Sequence, residues 1–246
     1  MKRLFFDIEV SPNLVMSWNV GNKLSIPYEN IIQERAVICI CYKWEHHSGV
    51  YSLVWNKGND KKMLEEFSKI MLEADEVVGH NSDNFDVKWL RTRCLYHGIP
   101  MIPDYASLDT YKLSRASFRF NSNRLDYISK FLGFKGKTNT QFKMWQDIVL
   151  HNDQKSLDKM VRYCKNDVRI LEKVYHAIQN YTKHKVHVGV LNGESKASCP
   201  SCGSTNTIKR TKETVTSAGT IKRRCSCNDC GKWFTVAKST LNKLKL

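Results

Sequence analysis

The stretch Arg3 to Val10, RLFFDIEV, constrains this chain more than any other. Leu4, Phe5, Phe6, Ile8 and Val10 have the apolar density of a short buried strand, yet Asp7 and Glu9 stand inside it. Side chains alternate along a strand, so residues two apart share a face. Two ionised carboxylates on one face of a core strand repel each other and resist desolvation. A hard divalent cation removes that penalty, and carboxylates fixed on a strand are the donors that Mg²⁺ or Mn²⁺ takes. The plain alternative is a strand-edge pair facing water, and only the rest of the chain decides between the two.

That remainder has room for one α/β domain and a small appendage, since the chain has 246 residues of which 41% are hydrophobic. It holds no apolar run of transmembrane length and no signal-peptide pattern at its start, so a soluble intracellular protein away from membranes is expected. Basic residues outnumber acidic ones 39 to 24, a net +15 that favours a polyanionic partner, nucleic acid first. The surplus is concentrated: from Lys183 onward there are thirteen Lys/Arg and three Asp/Glu, or +10. Cysteine use is uneven too. Cys39, Cys41, Cys94 and Cys164 are scattered in apolar contexts, whereas Cys199, Cys202, Cys225, Cys227 and Cys230 crowd the end, the pattern of a metal site in a reducing compartment.

Taken in order, Ser11-Pro12-Asn13 turns the chain into an irregular segment. Arg35–Trp44 and Val50–Trp55 then read as strands joined by a polar turn carrying His46 and His47, which makes three opening strands, antiparallel. Asp60 to Ala74 has helical spacing, and Glu76–Gly79 is a short strand running into the next helix, with Asp83 as its expected N-cap and Asp86 in its first turn. Ser107 to Leu113 begins another element, Asn123 to Gly133 is a helix ending at glycine, and Lys135 to Gln141 is a polar loop. Trp145–Leu150 is a short helical piece, and a long helix spans Gln154 to about Tyr181. Within that helix Tyr163 and Asp167 are four apart and share a face. Alone, they would read as a solvent-facing pair.

Along the chain there are thus an Asp-x-Glu on the first strand, an Asp at a strand-to-helix junction and a Tyr-x₃-Asp on a late helix. This ordered set resembles the DEDD superfamily of 3′–5′ exonucleases, in the variant that carries tyrosine. Phe6-Asp7-Ile8-Glu9 resembles the first exonuclease motif. Asn81-x₃-Phe85-Asp86 resembles the second, as in the proofreading domains of family B DNA polymerases, and Tyr163-x₃-Asp167-Val168 resembles the third. Asp109-Thr110, Leu125-Asp126 and Leu132-Gly133 are similar to the middle of such domains, less specifically. The resemblance implies a ribonuclease H-like fold over residues 1–182, a mixed five-stranded sheet flanked by helices. It implies that Asp7 touches two catalytic Mg²⁺ or Mn²⁺ ions, that Glu9 and Asp167 complete the first site and that Asp86 holds the second. Tyr163 would orient the attacking water, and Asn81 and Phe85 would seat the terminal nucleotide, with core packing the alternative for Phe85. Histidine replaces the tyrosine in the sister subgroup, but His151 and His176 are out of register.

The tail carries Cys199-x₂-Cys202 and Cys227-x₂-Cys230, each followed by glycine and separated by 24 residues. Four cysteines so spaced chelate one tetrahedral Zn²⁺. The region resembles the zinc ribbons of transposases and transcription proteins, with residues 183–196 as linker and 197–246 as the ribbon. Cys225 is a spare thiol or a swapped ligand. Lys209, Arg210, Lys212, Lys222, Arg223 and Arg224 form a basic hairpin between the knuckles, fit to hold phosphates without base specificity. The alternative is a zinc that only folds a module too small for its own core. With the basic tail, the resemblance implies a stand-alone metal-dependent 3′–5′ exonuclease acting on single-stranded DNA, with RNA open. A structure-selective endonuclease or transposase-like nuclease on the same fold, and a non-catalytic nucleic-acid-binding adaptor, are the alternatives. A compact chain with this pairing of modules suits a phage or mobile element.

Overall fold

RLFFDIEV is a strand, β1 (Arg3–Val10), and the domain is assembled around it. The computed structural model describes residues 1–21, 23–101, 105–134, 136, 140–181 and 186–243. In the segment read as irregular, a two-residue strand β2 (Leu14–Val15) pairs with β3 (Ile31–Gln33). The strands β4 (Val37–Trp44) and β5 (Tyr51–Val54) follow, then α1 (Lys61–Leu72), β6 (Glu76–Gly79) and α2 (Asp86–His97). Next come β7 (Ser107–Asp109), α3 (Thr110–Ser117), α4 (Leu125–Phe131), α5 (Lys143–His151) and α6 (Gln154–Ile178), the last passing into a 3₁₀ turn, Gln179–Tyr181.

The sheet order is β5-β4-β1-β6-β7. β4 runs antiparallel to both β1 and β5, whereas β6 is parallel to β1 and β7 to β6, so the sheet is mixed as expected. Because β1 is central, both its faces are covered. Phe6 meets Phe67 of α1 with ring centroids 5.6 Å apart, and Phe5 meets Tyr175 of α6 edge-on at 5.3 Å. Alternation therefore gives Leu4, Phe6 and Ile8 to the α1 side, and Phe5, Asp7 and Glu9 to the α6 side. α6 buries a stripe of Met160, Cys164, Val168, Leu171, Val174, Tyr175 and Ile178 against that face. The Asp153 carboxylate caps α6 by accepting from the Ser156 N–H at 2.8 Å.

The other face is locked by one buried carboxylate. Asp60 accepts from Arg93 Nε and Nη2 at 2.8 and 2.9 Å, contacts His97 Nε2 at 2.7 Å and takes the Val37 N–H at 2.9 Å. It thereby ties the starts of α1 and β4 to α2.

Two local expectations are corrected. Asp83 does not cap α2: Phe85 holds the N-cap position, while Asp83 accepts hydrogen bonds from the Ser107 hydroxyl and from Lys112 Nζ, the latter at 2.8 Å. The tertiary partners outcompete the local cap. The segment read as a linker is not without structure: Val188–Leu191 is a short helix, α7, with the Val188 N–H on the Pro200 carbonyl at 3.0 Å. The loop expected over 135–141 and the linker start at Lys183 lie largely outside the described residues.

The C-terminal module is a three-stranded antiparallel sheet of β8 (Thr207–Val215), β9 (Ile221–Cys227) and β10 (Trp233–Ala237), followed by α8 (Lys238–Lys243). Its own core is small: Ala197, Cys225, Val236 and Leu241, with Phe234 against them. Lys232, buried, donates from Nζ to the Asn180 carbonyl at 2.7 Å and so ties the module to the 3₁₀ turn that follows α6.

Candidate active site

Asp7 and Glu9 are half-buried on β1, opposite Cys41 and Cys39 of β4. A register shift after Glu9 ends the regular pairing there. Asp167 comes down from α6 and is only 1% exposed, so it faces the sheet and not solvent. Asp7, Glu9 and Asp167 each offer a carboxylate oxygen within 4.8 Å of the others. The side chains expected to hold the first cation are thus brought together.

Asp86 is placed by a different device. β6 pairs with β1 only as far as Phe5, opposite Val78. Beyond that point Asp86 Oδ1 accepts the Ile8 N–H at 3.1 Å and takes over where strand pairing stops. Asp86 is buried at the first residue of α2, between the positions of Asp7 and Glu9 along the strand but outside their three-carboxylate cluster.

The loop leading to it is tightly specified. At Gly79 a Cβ would stand 2.3 Å from Ser82 Cβ, so the chain turns there only with glycine. Asn81 adopts a left-handed conformation, φ +62°, which Asn tolerates better than most residues. Its N–H donates to Asp109 Oδ1 at 2.8 Å, and the same carboxylate caps α3 through the Tyr111 N–H at 2.9 Å. Burial pushes the Asp109 carboxyl above its usual range, opposed by the backbone N–H groups it accepts. His80 spans Thr110 Oγ1 and the Asn123 carbonyl, each at 2.9 Å. Phe85 is 39% exposed, so it is a surface ring and no part of the core.

Tyr163 lies half-buried at the mouth of an open cavity of about 570 Å³ between α5 and α6, where Lys143, Lys159 and Arg162 line the wall. Trp145 anchors α5 on the end of β1 by donating from Nε1 to the Val10 carbonyl at 3.2 Å. Sequence reading missed this cationic wall. The run Lys159-x₂-Arg162 one turn before Tyr163 was the available signal.

A second constellation was also missed. Cys39, Cys41 and Cys164, apparently scattered, have Sγ atoms within 4.8 Å of one another. Nothing in their spacing announces this, because strand and helix meet only in the fold.

In the C-terminal module Cys199, Cys202, Cys227 and Cys230 converge within 4.8 Å, with Cys199–Cys230 and Cys202–Cys227 sulfur pairs at 3.6 Å. Gly203 and Gly231, both left-handed, close equivalent turns onto the Cys199 and Cys227 carbonyls. Cys225 is fully buried in the small core and stands outside the four-thiol group. The basic residues divide between two faces. Arg210 stacks on the Trp233 ring at 5.1 Å and reaches Ser226 Oγ at 3.3 Å, and strand alternation puts Lys222 and Arg224 on that same face. Arg223 is on the other side, paired with Glu213 at 2.7 Å, and Lys209 lies opposite Cys225 on that side too. No helix among the described residues is long and apolar enough to cross a membrane.

A mixed sheet of this order, with carboxylates gathered on its central strand and covered by a long helix, defines the ribonuclease H-like class. A family model described as RNase_H superfamily matches residues 34–179, more than half of the chain, and the chain belongs to that superfamily. The match begins after β1, so Asp7 and Glu9 precede it. Among solved structures, the family B DNA polymerase from the hyperthermophilic archaeon Pyrobaculum calidifontis is similar, with a TM-score of 0.57 at 18% identity. The likeness covers 73% of this chain and 24% of the polymerase, and it is a likeness of fold. Comparison with curated protein sequences gives no match.

Proposed function

We propose that the chain is a metal-dependent 3′–5′ exonuclease acting on single-stranded DNA in preference to RNA. The observation that carries this reading is the convergence of Asp7, Glu9 and Asp167, with Asp86 fixed on the intervening Ile8 N–H. Three carboxylates so close form a hard-oxygen donor set that fits Mg²⁺ or Mn²⁺ and is costly without a cation. Asp7, Glu9 and Asp167 would hold one ion, and Asp7 with Asp86 a second. Bound there, two such ions supply an activated water and neutralise charge on the leaving 3′ oxygen.

The protein's own groups do the remaining work. Tyr163 directs the attacking water through its hydroxyl, since a phenol ordinarily near pKa 10 is a poor base at neutral pH. Asn81, in its left-handed turn, and the exposed Phe85 ring, both in the loop that leads to Asp86, seat the terminal nucleotide. Residues 1–182 would cleave, 183–196 would connect, and 197–246, folded on one Zn²⁺ held by the four cysteines, would grip the strand through Arg210, Lys222 and Arg224, the face that carries Trp233, with Arg223 already paired to Glu213 and Lys209 turned to the other side.

The test is a 5′-labelled single strand of DNA or of RNA, incubated with Mg²⁺ or Mn²⁺ beside Asp7→Ala. A ladder shortening one nucleotide at a time from the 3′ end, absent in the variant and stronger on DNA, is expected. Internal cuts, or cleavage of a 3′-blocked strand, would instead identify an endonuclease. Binding without cleavage under both metals would leave a nucleic-acid adaptor.

A further inference from the structure

Three buried thiols have no part in the chemistry proposed above. Cys41 and Cys39 lie two apart on β4, directly across from Asp7 and Glu9, so all four side chains share the sheet face under α6. Cys164 descends onto that face from α6, between Tyr163 and Asp167 in sequence. None of the three is exposed at all, and their sulfurs lie within 4.8 Å of one another. Cys164 Sγ stands 3.4 Å from the Asp7 carbonyl and 3.6 Å from Asp7 Oδ2.

Three sulfurs on one tetrahedral Zn²⁺, with bonds near 2.3 Å, stand about 3.8 Å apart. The observed convergence needs only small adjustments to reach that geometry. A fourth donor is near at hand: Asp7 Oδ2 lies 3.6 Å from Cys164 Sγ, outside the three-thiol group itself, and would turn toward the sulfurs to complete the site. We propose that Cys39, Cys41 and Cys164, completed by Asp7, form a second thiolate metal site for a thiophilic cation such as Zn²⁺, set in the core between β4 and α6. Sulfur selects this class of ion, whereas the neighbouring carboxylates suit Mg²⁺ and Mn²⁺. The three thiol protons leave to solvent as the ion binds. The half-buried Asp7 and Glu9 mark the way in. Asp7 belongs to both donor sets, so filling the thiolate site withdraws a ligand from the carboxylate cluster, and the two kinds of ion compete. Cysteines buried as small apolar groups are the ordinary alternative. Cys94, buried against Ser68 Oγ at 3.8 Å and outside any such group, is that case and serves as control.

The deciding measurement is bound zinc per chain after equilibrium dialysis of the full-length protein in excess Mg²⁺. Parent, Cys94→Ser, Cys164→Ser and Cys39→Ala are compared. The parent and Cys94→Ser are expected to hold one zinc ion more than Cys164→Ser and Cys39→Ala, whatever the C-terminal module binds. A second readout is Mn²⁺ affinity by electron paramagnetic resonance. Zinc beyond the first equivalent competes with Mn²⁺ at the carboxylates in any variant, and should weaken Mn²⁺ binding by about tenfold more in the parent than in Cys164→Ser. Circular dichroism melting establishes that each variant is folded, and Cys39→Ala carries the comparison if Cys164→Ser is not. Equal zinc counts in all four proteins would overturn the proposal. Neither readout requires cleavage, so a failed nuclease reading would be recognised separately.

Discussion

Three carboxylates within 4.8 Å are a liability in the metal-free protein. Two unit charges about 4 Å apart repel by up to ~4 kcal/mol at an effective dielectric near 20. Asp7→Asn removes one of them. Without divalent ions this variant should be more stable than the parent by about 1–2 kcal/mol, a strain retained for function. It should also lose the upward shift in melting temperature that Mg²⁺ or Mn²⁺ gives the parent, and cleavage should fall by about 10³-fold. Tyr163→Phe separates ligand from orienting group. It should slow cleavage by about 10²-fold and keep the metal-induced melting shift intact. If that shift vanished, Tyr163 would be a ligand and its assigned role wrong. The carboxylates were legible in sequence because a strand's alternation places Asp7 beside Glu9 whatever surrounds them. Asp86 was legible only as a position near a strand end, since its bond to the Ile8 N–H depends on where β6 parts from β1.

At the scale of elements, strands and helices emerge where periodicity is strong. RLFFDIEV, β4 and the long stripe of α6 all form as read, whereas Asp83 and the segment around Val188 go to tertiary partners that local sequence does not name. Asp60 shows the same limit. It stands where an N-cap belongs, yet it makes no capping bond and instead joins Arg93, His97 and the Val37 N–H. Burial pushes its carboxyl up, but the Arg93 pair, the Val37 N–H and His97 outweigh that and hold it below the ordinary value of 3.8. A depressed folded pKa means stability that is complete above the unfolded value and lost as pH falls through the lower folded one. The parent should therefore weaken steeply below about pH 4. Asp60→Asn should be less stable at neutral pH by about 3 kcal/mol, because Arg93 is left buried and unpaired. It should also lack the Asp60 part of the acid loss. Denaturant melts of both proteins from pH 3 to 7 measure this, and parallel curves across that range would refute it.

For the whole molecule, charge was legible as an amount and not as a surface. The +10 of the tail says that a polyanion is wanted, but the binding face depends on the register of β8, β9 and β10 and on the bulge after Lys209. That register puts Arg210, Lys222 and Arg224 around Trp233 and turns Arg223 to Glu213. Trp233, 54% exposed on that face, is the ring on which a base would stack in the proposed function. Each phosphate contact releases counterions, so the residues that touch the strand are identified by salt dependence. Anisotropy titrations of a labelled single strand over a range of KCl should give a linear log–log slope. Arg224→Gln and Lys222→Gln should each flatten that slope by about 1. Arg223→Gln should leave it nearly unchanged, since Glu213 already neutralises that guanidinium. Trp233→Ala should weaken binding by about 1–3 kcal/mol at every salt concentration without altering the slope, because stacking releases no ions. A flattened slope with Arg223→Gln and none with Arg224→Gln would place the strand on the opposite face of the module. Nucleic acid would then run along the Lys209 side, and the path from ribbon to carboxylates would have to be drawn from there.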